Sequence, residues 1–244
     1  MSDRPSILVP IRVLEGEAIP EGVPELLANA HVVLLGYHVI PEQTAPGQAR
    51  MQFEERATHR LGEYETRLEA AGATTERRLV FTHDEQKTID RTIAEYDCLA
   101  VLIPNATVPP EEVLVAVRGS VGVDRLARVV AGLFGDTDVS VTLYHVTGAD
   151  EPDDDVQAVL DEVADRSTDL GLDGSAIETR IERDRDVLDA IVDAAAAFDA
   201  VVMGESDPSL VTFVFGMPVD QVAERFLGPV LVVQHESATE DGDR

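Results

Sequence analysis

The chain repeats itself, and the repetition restricts its possible folds more than any single motif does. The segment ILVPIR (7–12) corresponds to VLVAVR (113–118), and LLGYHV (34–39) corresponds to VTLYHV (141–146), both ending in Tyr-His-Val. Glu76-Arg77-Arg78-Leu79 corresponds to Glu178-Thr179-Arg180-Ile181, and Tyr96-Asp97 before CLAVLI (98–103) to Phe198-Asp199 before AVVM (200–203). Four matches in the same order, at offsets of 102–107 residues, describe two copies of one unit.

The matched segments are short, apolar and rich in Val, Leu and Ile, without strict alternation, which suits parallel strands covered on both faces. Helical patterns lie between them. In the first copy these are a short one over 20–30, a long one from about residue 48 to 71, and one over 84–95 that Asp84 can cap. In the second copy they fall at 121–134, 154–170 and 186–198, the second entered through the acidic run Asp153-Asp154-Asp155, which suits the positive end of a helix. Strand–helix alternation of this length implies right-handed βαβ crossovers, so each copy reads as an open, doubly wound α/β unit. The copies differ at their ends. After CLAVLI the first passes only a proline-rich connection carrying Pro104, Pro109 and Pro110, with no glycine loop and no fifth strand. The expected division is a truncated domain over 1–107, a complete one over 108–235 and a polar tail over 236–244.

Charge restricts the environment and the partners. Against 47 acidic residues stand 19 basic ones, of which Lys87 is the only lysine, giving a net charge of −28. Self-repulsion at this charge is severe in dilute salt and screened at molar salt, where the Debye length falls to ~3 Å. The 44% of hydrophobic residues, set in patterned runs, argues against an acidic disordered chain. No basic stripe is available for nucleic acid. The single cysteine, Cys98, lies in an apolar run and reads as a buried hydrophobe. The N-terminal residues show no signal-peptide pattern, and no apolar run approaches a membrane span, so a cytoplasmic protein without membrane insertion is expected.

The stretch 200–235 carries the most specific motif. AVVM stops at Gly204, and a second apolar run, PVLVV (229–233), follows a helical pattern that starts near Pro218. A glycine turn leading from a strand to a helix N-terminus favours anions through backbone N–H groups and the helix dipole. Here the chain resembles the universal stress protein (UspA-like) family, whose C-terminal signature is a strand, G-x2-G-x9-G-[ST], a helix and a closing strand. Gly204 and Gly216 stand at the first and third glycines. The spacing is one residue short, the second glycine position falls on Asp207, or on Ser206 if the loop is one residue shorter, and Met217 replaces the hydroxyl residue. Together with the acidic composition, the resemblance is to a tandem protein of haloarchaeal type.

The resemblance implies strand order 3-2-1-4-5 in each unit and a nucleotide at the carboxyl ends of the strands, where ligands collect in open α/β sheets. By position this assigns Ala116, Val117 and Arg118 after the opening strand of the second copy, Val146 beside an adenine, and Met203, Gly204, Gly216 and Met217 at the phosphates. Arg118, and Arg12 in the first copy, stand where the family carries an aspartate. Arginine accepts no hydrogen bond, so it either contacts phosphate or pairs with a nearby acid, and the acid is the stronger expectation here. His38 and His145 have no Ser, Cys or second acid at a recognisable spacing and read as structural.

The function implied is a regulatory or stress-response module with weakened or lost ATP binding, no catalytic set and no metal site. Two rivals are a competent adenine-nucleotide sensor, holding AMP or ATP, and a nucleotide hydrolase or transferase of the same broad fold. No cofactor is required by the residues themselves. For assembly, related proteins pair the closing strand antiparallel with that of a second domain. With the first copy lacking such a strand, CLAVLI is left as an apolar edge and a homodimer through Val230–Val233 of two chains is expected; the alternative is that PVLVV closes onto CLAVLI within one chain, giving a compact monomer.

Overall fold

The computed structural model describes residues 4–17, 19–105, 107–117, 122–148, 151–204 and 228–234. The first half contributes β1 (Ser6–Arg12), α1 (Val23–Leu26), β2 (His31–Val39), α2 (Pro46–Ala71), β3 (Thr74–Thr82), α3 (Glu85–Tyr96) and β4 (Ala100–Ile103). The second contributes β5 (Glu112–Ala116), α4 (Val123–Phe134), β6 (Ser140–Thr147), α5 (Asp153–Asp169), β7 (Ile177–Arg183), α6 (Val187–Ala195), β8 (Ala200–Gly204) and β9 (Val230–Val233).

All nine described strands join one sheet, in the order β3-β2-β1-β4-β9-β8-β5-β6-β7. Within each half the strands are parallel, and the second half reads 3-2-1-4-5, the order the resemblance implies. The halves meet where β9 runs antiparallel to β4, with Val101 opposite Val232 and Ile103 opposite Val230. The carboxyl ends of the two sets of strands therefore point to opposite ends of the sheet.

This pairing accounts for the strand edges on which the expected assembly rests. CLAVLI is not left as an exposed edge, because β9 fills its open side. Val230–Val233 is bonded on both sides within the chain, to β4 and to β8, so this fold offers no free edge there to a second copy. The physical reason is that β9 has two edges and β8 uses one; the other satisfies the unpaired backbone of β4 without any cost of association.

The helices cover the sheet as the crossovers demand. One apolar core joins residues of α1, α2, α4 and α5 across both halves, including Leu26, Leu61, Leu126, Val130 and Leu160, over β1, β4, β5 and β9. On the opposite face, α6 covers Leu114, Tyr144, Met203 and Val232, and α3 covers Leu8, Val33 and Val101. Gly36 in β2 is required by close approach: a Cβ there would lie 2.6 Å from Leu61 Cδ1 of α2. The long α2 stops at Gly72, whose φ of 116° closes its last turn. Asp84 caps α3, accepting from the Lys87 N–H at 3.0 Å. The short helix expected over 20–30 contracts to four residues because Pro20 and Gly22 precede it and turns follow. In the turn that follows, Asn29 Nδ2 donates to the Leu133 carbonyl at the end of α4, 3.0 Å away. Arg125 of α4 adds a second tie, donating to Asp97 at 3.1 Å and to the Gln234 carbonyl at 3.2 Å.

Candidate functional site

The carboxyl ends of β5, β8 and β6 bring together five of the residues the sequence assigns. Ala116 is level with Met203 on β8 and with Tyr144 on β6. The Val117 N–H donates to the Tyr144 carbonyl at 2.9 Å, and Gly204, the last residue of β8, lies opposite Val233. Ala116, Val117, Val146 and Met203 are all buried. Ala116, Val146 and Met203 face the core under α6, and Val117 faces the other core. They form the floor of the strand ends. Arg118, Gly216 and Met217, like Asp207, lie outside the described residues.

At the equivalent end of the first half, side chains of β1, β2 and α3 bond to one another. Arg12 Nη2 donates to Glu85 Oε2 at 2.7 Å, and its Nε donates to the Tyr37 hydroxyl at 3.2 Å. Tyr37 in turn donates to Glu85 Oε1 at 2.5 Å. The Arg12 N–H donates to Glu17 Oε2 at 2.6 Å. Arg12 thus takes the acid pairing that its position suggested. The hydrogen bond it donates to Glu85 holds the Arg12 guanidinium more firmly protonated than usual, against a smaller opposing effect of burial. Burial, and then the Glu85 carboxylate, push the Tyr37 phenol well above its ordinary value.

The second half repeats the tyrosine but takes its acid from elsewhere. The Tyr144 hydroxyl donates to Glu182 Oε2, an acid of β7, whereas Glu85 opens α3. Arg185 donates to Glu182 Oε1 at 3.1 Å, and the Arg180 guanidinium lies 5.5 Å from the centre of the Tyr144 ring. The bond from Tyr144, then that from Arg185, hold the Glu182 carboxyl below the usual range. Burial, reinforced by Glu182, raises the Tyr144 phenol. Sequence reading missed both Tyr–Glu pairs because it weighed the histidine of Tyr-His-Val and passed over the tyrosine repeated beside it.

His145 is 5% exposed, with Nδ1 2.7 Å from the Val117 carbonyl and Nε2 3.1 Å from Glu151 Oε2. Two further concavities belong to the first half. One of about 480 Å³ lies along the outer side of β3 beside Pro46, Arg50, Arg78 and Phe81. One of about 520 Å³ lies between α1 and the end of α2, beside Glu21, Arg67 and Pro109. Neither is lined by a residue that the sequence assigns. Among the described residues no three of His, Cys, Asp or Glu gather where they could hold a metal ion, and no helix is long and apolar enough to cross a membrane.

Two doubly wound half-sheets, joined antiparallel, define a tandem α/β protein. No protein-family model and no curated protein matches the sequence. Solved structures do. A universal stress protein from Archaeoglobus fulgidus superposes with a TM-score of 0.63 at 16% identity, over 95% of this chain and 97% of that one. A functionally unknown protein from Pseudomonas aeruginosa follows with a TM-score of 0.52 at 15% identity, over 96% of this chain and 94% of that one. A putative universal stress protein from the same species gives 0.51 at 14% identity, with the same coverage. The chain has the universal stress protein fold.

Proposed function

We propose that the protein is a universal-stress-protein-like regulatory module whose nucleotide binding is weakened or lost. The observation that carries this reading is the closed end of the first half, where Arg12, Tyr37 and Glu85 bond to one another at the strand ends. That half also passes from β4 to β5 through 104–111, with no glycine loop. Any nucleotide site thus falls to the second half, whose loop carries Asp207 and Met217 in place of a glycine and a hydroxyl residue. A carboxylate near phosphates and a lost donor each cost about 1–3 kcal/mol. No catalytic role is assigned to any residue.

One observation favours the sensor reading. The residue of α6 that matches Glu85 is Val187, so the glutamate that holds Arg12 is not repeated at its own position in the second half, where the acids at the start of α6 are Asp186 and Asp189. Titration calorimetry with Mg-ATP and with AMP, in molar KCl, decides between them. The module reading expects no heat at tens of micromolar protein and partial recovery of binding in Asp207→Gly with Met217→Ser. Tight binding by the unaltered chain, lost in Arg118→Ala, establishes the sensor.

A further inference from the structure

Among the described strands the sheet ends on β3 at one side and on β7 at the other. The Thr74 N–H donates to the Ala30 carbonyl and the Thr82 carbonyl accepts from the Ile40 N–H. The backbone of every second residue from Thr74 to Thr82 therefore faces β2. The N–H and carbonyl groups of Thr75, Arg77, Leu79 and Phe81 face away from the sheet, and among the described residues none of them is bonded. Proteins blunt such edges with charge, proline or a bulge. β7 is guarded in this way, with Glu178, Arg180, Glu182 and Arg183 in its short span. β3 carries Glu76, Arg77 and Arg78, then runs through Leu79-Val80-Phe81-Thr82 without charge, proline or break in register.

The concavity of about 480 Å³ lies along this bare stretch, between Arg78–Phe81 of the strand and Pro46, Gly47 and Arg50 at the start of α2. Leu79 and Phe81 pack on the α2 side, beside Ala49 and Phe53. Arg78 reaches the other face, where its Nη1 donates to Glu95 Oε1 of α3 at 2.5 Å. The groove thus wraps the edge from one face of the sheet to the other. Its two charged lining residues, Arg50 and Arg78, are both cations, in a chain with 47 acidic residues and 19 basic ones. Arg50 meets Glu54 of its own helix through Nε at 3.5 Å, in a pair more than half exposed and therefore weak. Each guanidinium carries further N–H donors beyond the nitrogen used in these pairs.

We propose that the outer edge of β3, with the start of α2, is a docking groove that takes an extended acidic segment of another polypeptide as an added strand. Main-chain bonds to the outward groups of Arg77, Leu79 and Phe81 supply the affinity, and side chains on the two faces supply the choice of partner. Successive residues of an added strand fall on opposite faces. A carboxylate on one face meets Arg50, and a carboxylate an odd number of positions along meets Arg78. A second copy of the chain is the poorer occupant, because it brings a further −28 to the same edge. A short acidic segment brings little of that repulsion, and molar salt screens what remains. The groove belongs to the first half and stands whether or not a nucleotide binds in the second.

NMR titration and amide exchange of the full chain in molar KCl test the groove. The probe is a capped seven-residue peptide of alternating valine and threonine, carrying two aspartates three positions apart. The expected result is exchange slowed about tenfold or more at the Arg77, Leu79 and Phe81 amides, with the β7 amides unchanged. N-methylation of alternate peptide bonds in the probe should abolish the effect. Lysines in place of the aspartates should weaken binding about tenfold or more, as should Arg50→Ala with Arg78→Ala. Leu79→Pro removes an outward donor and leaves the bonds to β2 whole, so it should keep a dispersed spectrum and lose the peptide. Leu79 and Phe81 amides that ignore millimolar peptide, equal binding of the lysine peptide, or an equal response along β7 would each overturn the proposal. Protection of the same amides in the free chain that grows with protein concentration would also overturn it, and would assign the edge to a second copy.

Discussion

Arg12, Tyr37 and Glu85 show how one residue type changes a strand end. The arginine needs acceptors, the buried phenol needs a partner, and the carboxylate at the start of α3 serves both. In the second half Tyr144 and Glu182 repeat the phenol–carboxylate bond from different elements. Both phenols are raised above the ordinary 10.0, first by burial and then by the neighbouring carboxylate. A raised folded-state value means stability that is complete below about pH 10 and is lost as pH climbs toward the folded value. Ultraviolet titration in molar KCl should therefore show two of the four tyrosines ionising late, together with unfolding. Tyr37→Phe with Tyr144→Phe should remove that late step; its persistence would assign it to other tyrosines. The pairing of Arg12 with an acid was legible in the sequence from charge alone. Its particular partner was not, because Glu85 lies 73 residues away and is brought to β1 only by the crossover.

At the scale of elements, the six described helices and nine strands fall where periodicity places them, since apolar runs and helical faces are local signals. Asp84 as a cap and Cys98 in the core were legible for the same reason. The partner of β9 was not. A run such as PVLVV shows that both faces are covered but not which backbone lies at each edge, and pairing with β4 spans more than 120 residues. This closure makes β9 the fifth strand of the second half and the outer neighbour of the first. Proline at Val232 removes an N–H and strains a strand bonded on both sides, at a cost of about 3 kcal/mol or more. Denaturant unfolding of Val232→Pro in molar KCl should show a large loss of stability in both halves together. A variant that lost only the second half would show that β9 does not couple them. With β9 occupied, light scattering should give a 26.4 kDa monomer. A dimer that dissociates in Val232→Pro would instead indicate exchange of β9 between two chains.

At the scale of the molecule, the sheet must hold together against a net charge of −28. Many cations are already spent in local pairs, such as Arg12 with Glu85, Arg77 with Glu65, Arg78 with Glu95 and Arg166 with Asp124. Each partly exposed pair contributes about 0–1 kcal/mol, too little to offset the excess acid distributed over the surface. The core is ordinary in kind: Val, Leu and Ile pack between layers, and among the described residues no cluster of extra charge lies inside. Repulsion therefore acts on the surface as a whole, and dissolved cations are what can reduce it. At 0.1 M salt, charges within ~10 Å still repel one another, whereas at molar salt the range shrinks to ~3 Å. Because the halves share one core under α1, α2, α4 and α5, a surface force that loosens one half strains the other. The expected outcome is one cooperative circular-dichroism melt in 3 M KCl that moves to markedly lower temperature in 0.1 M KCl. Sodium chloride should substitute for potassium chloride, since screening depends on ionic strength rather than on a specific site. Equal melting temperatures in the two salts' dilute and concentrated solutions would show that the acidic surface does not govern stability. A dependence on potassium alone would point instead to bound cations.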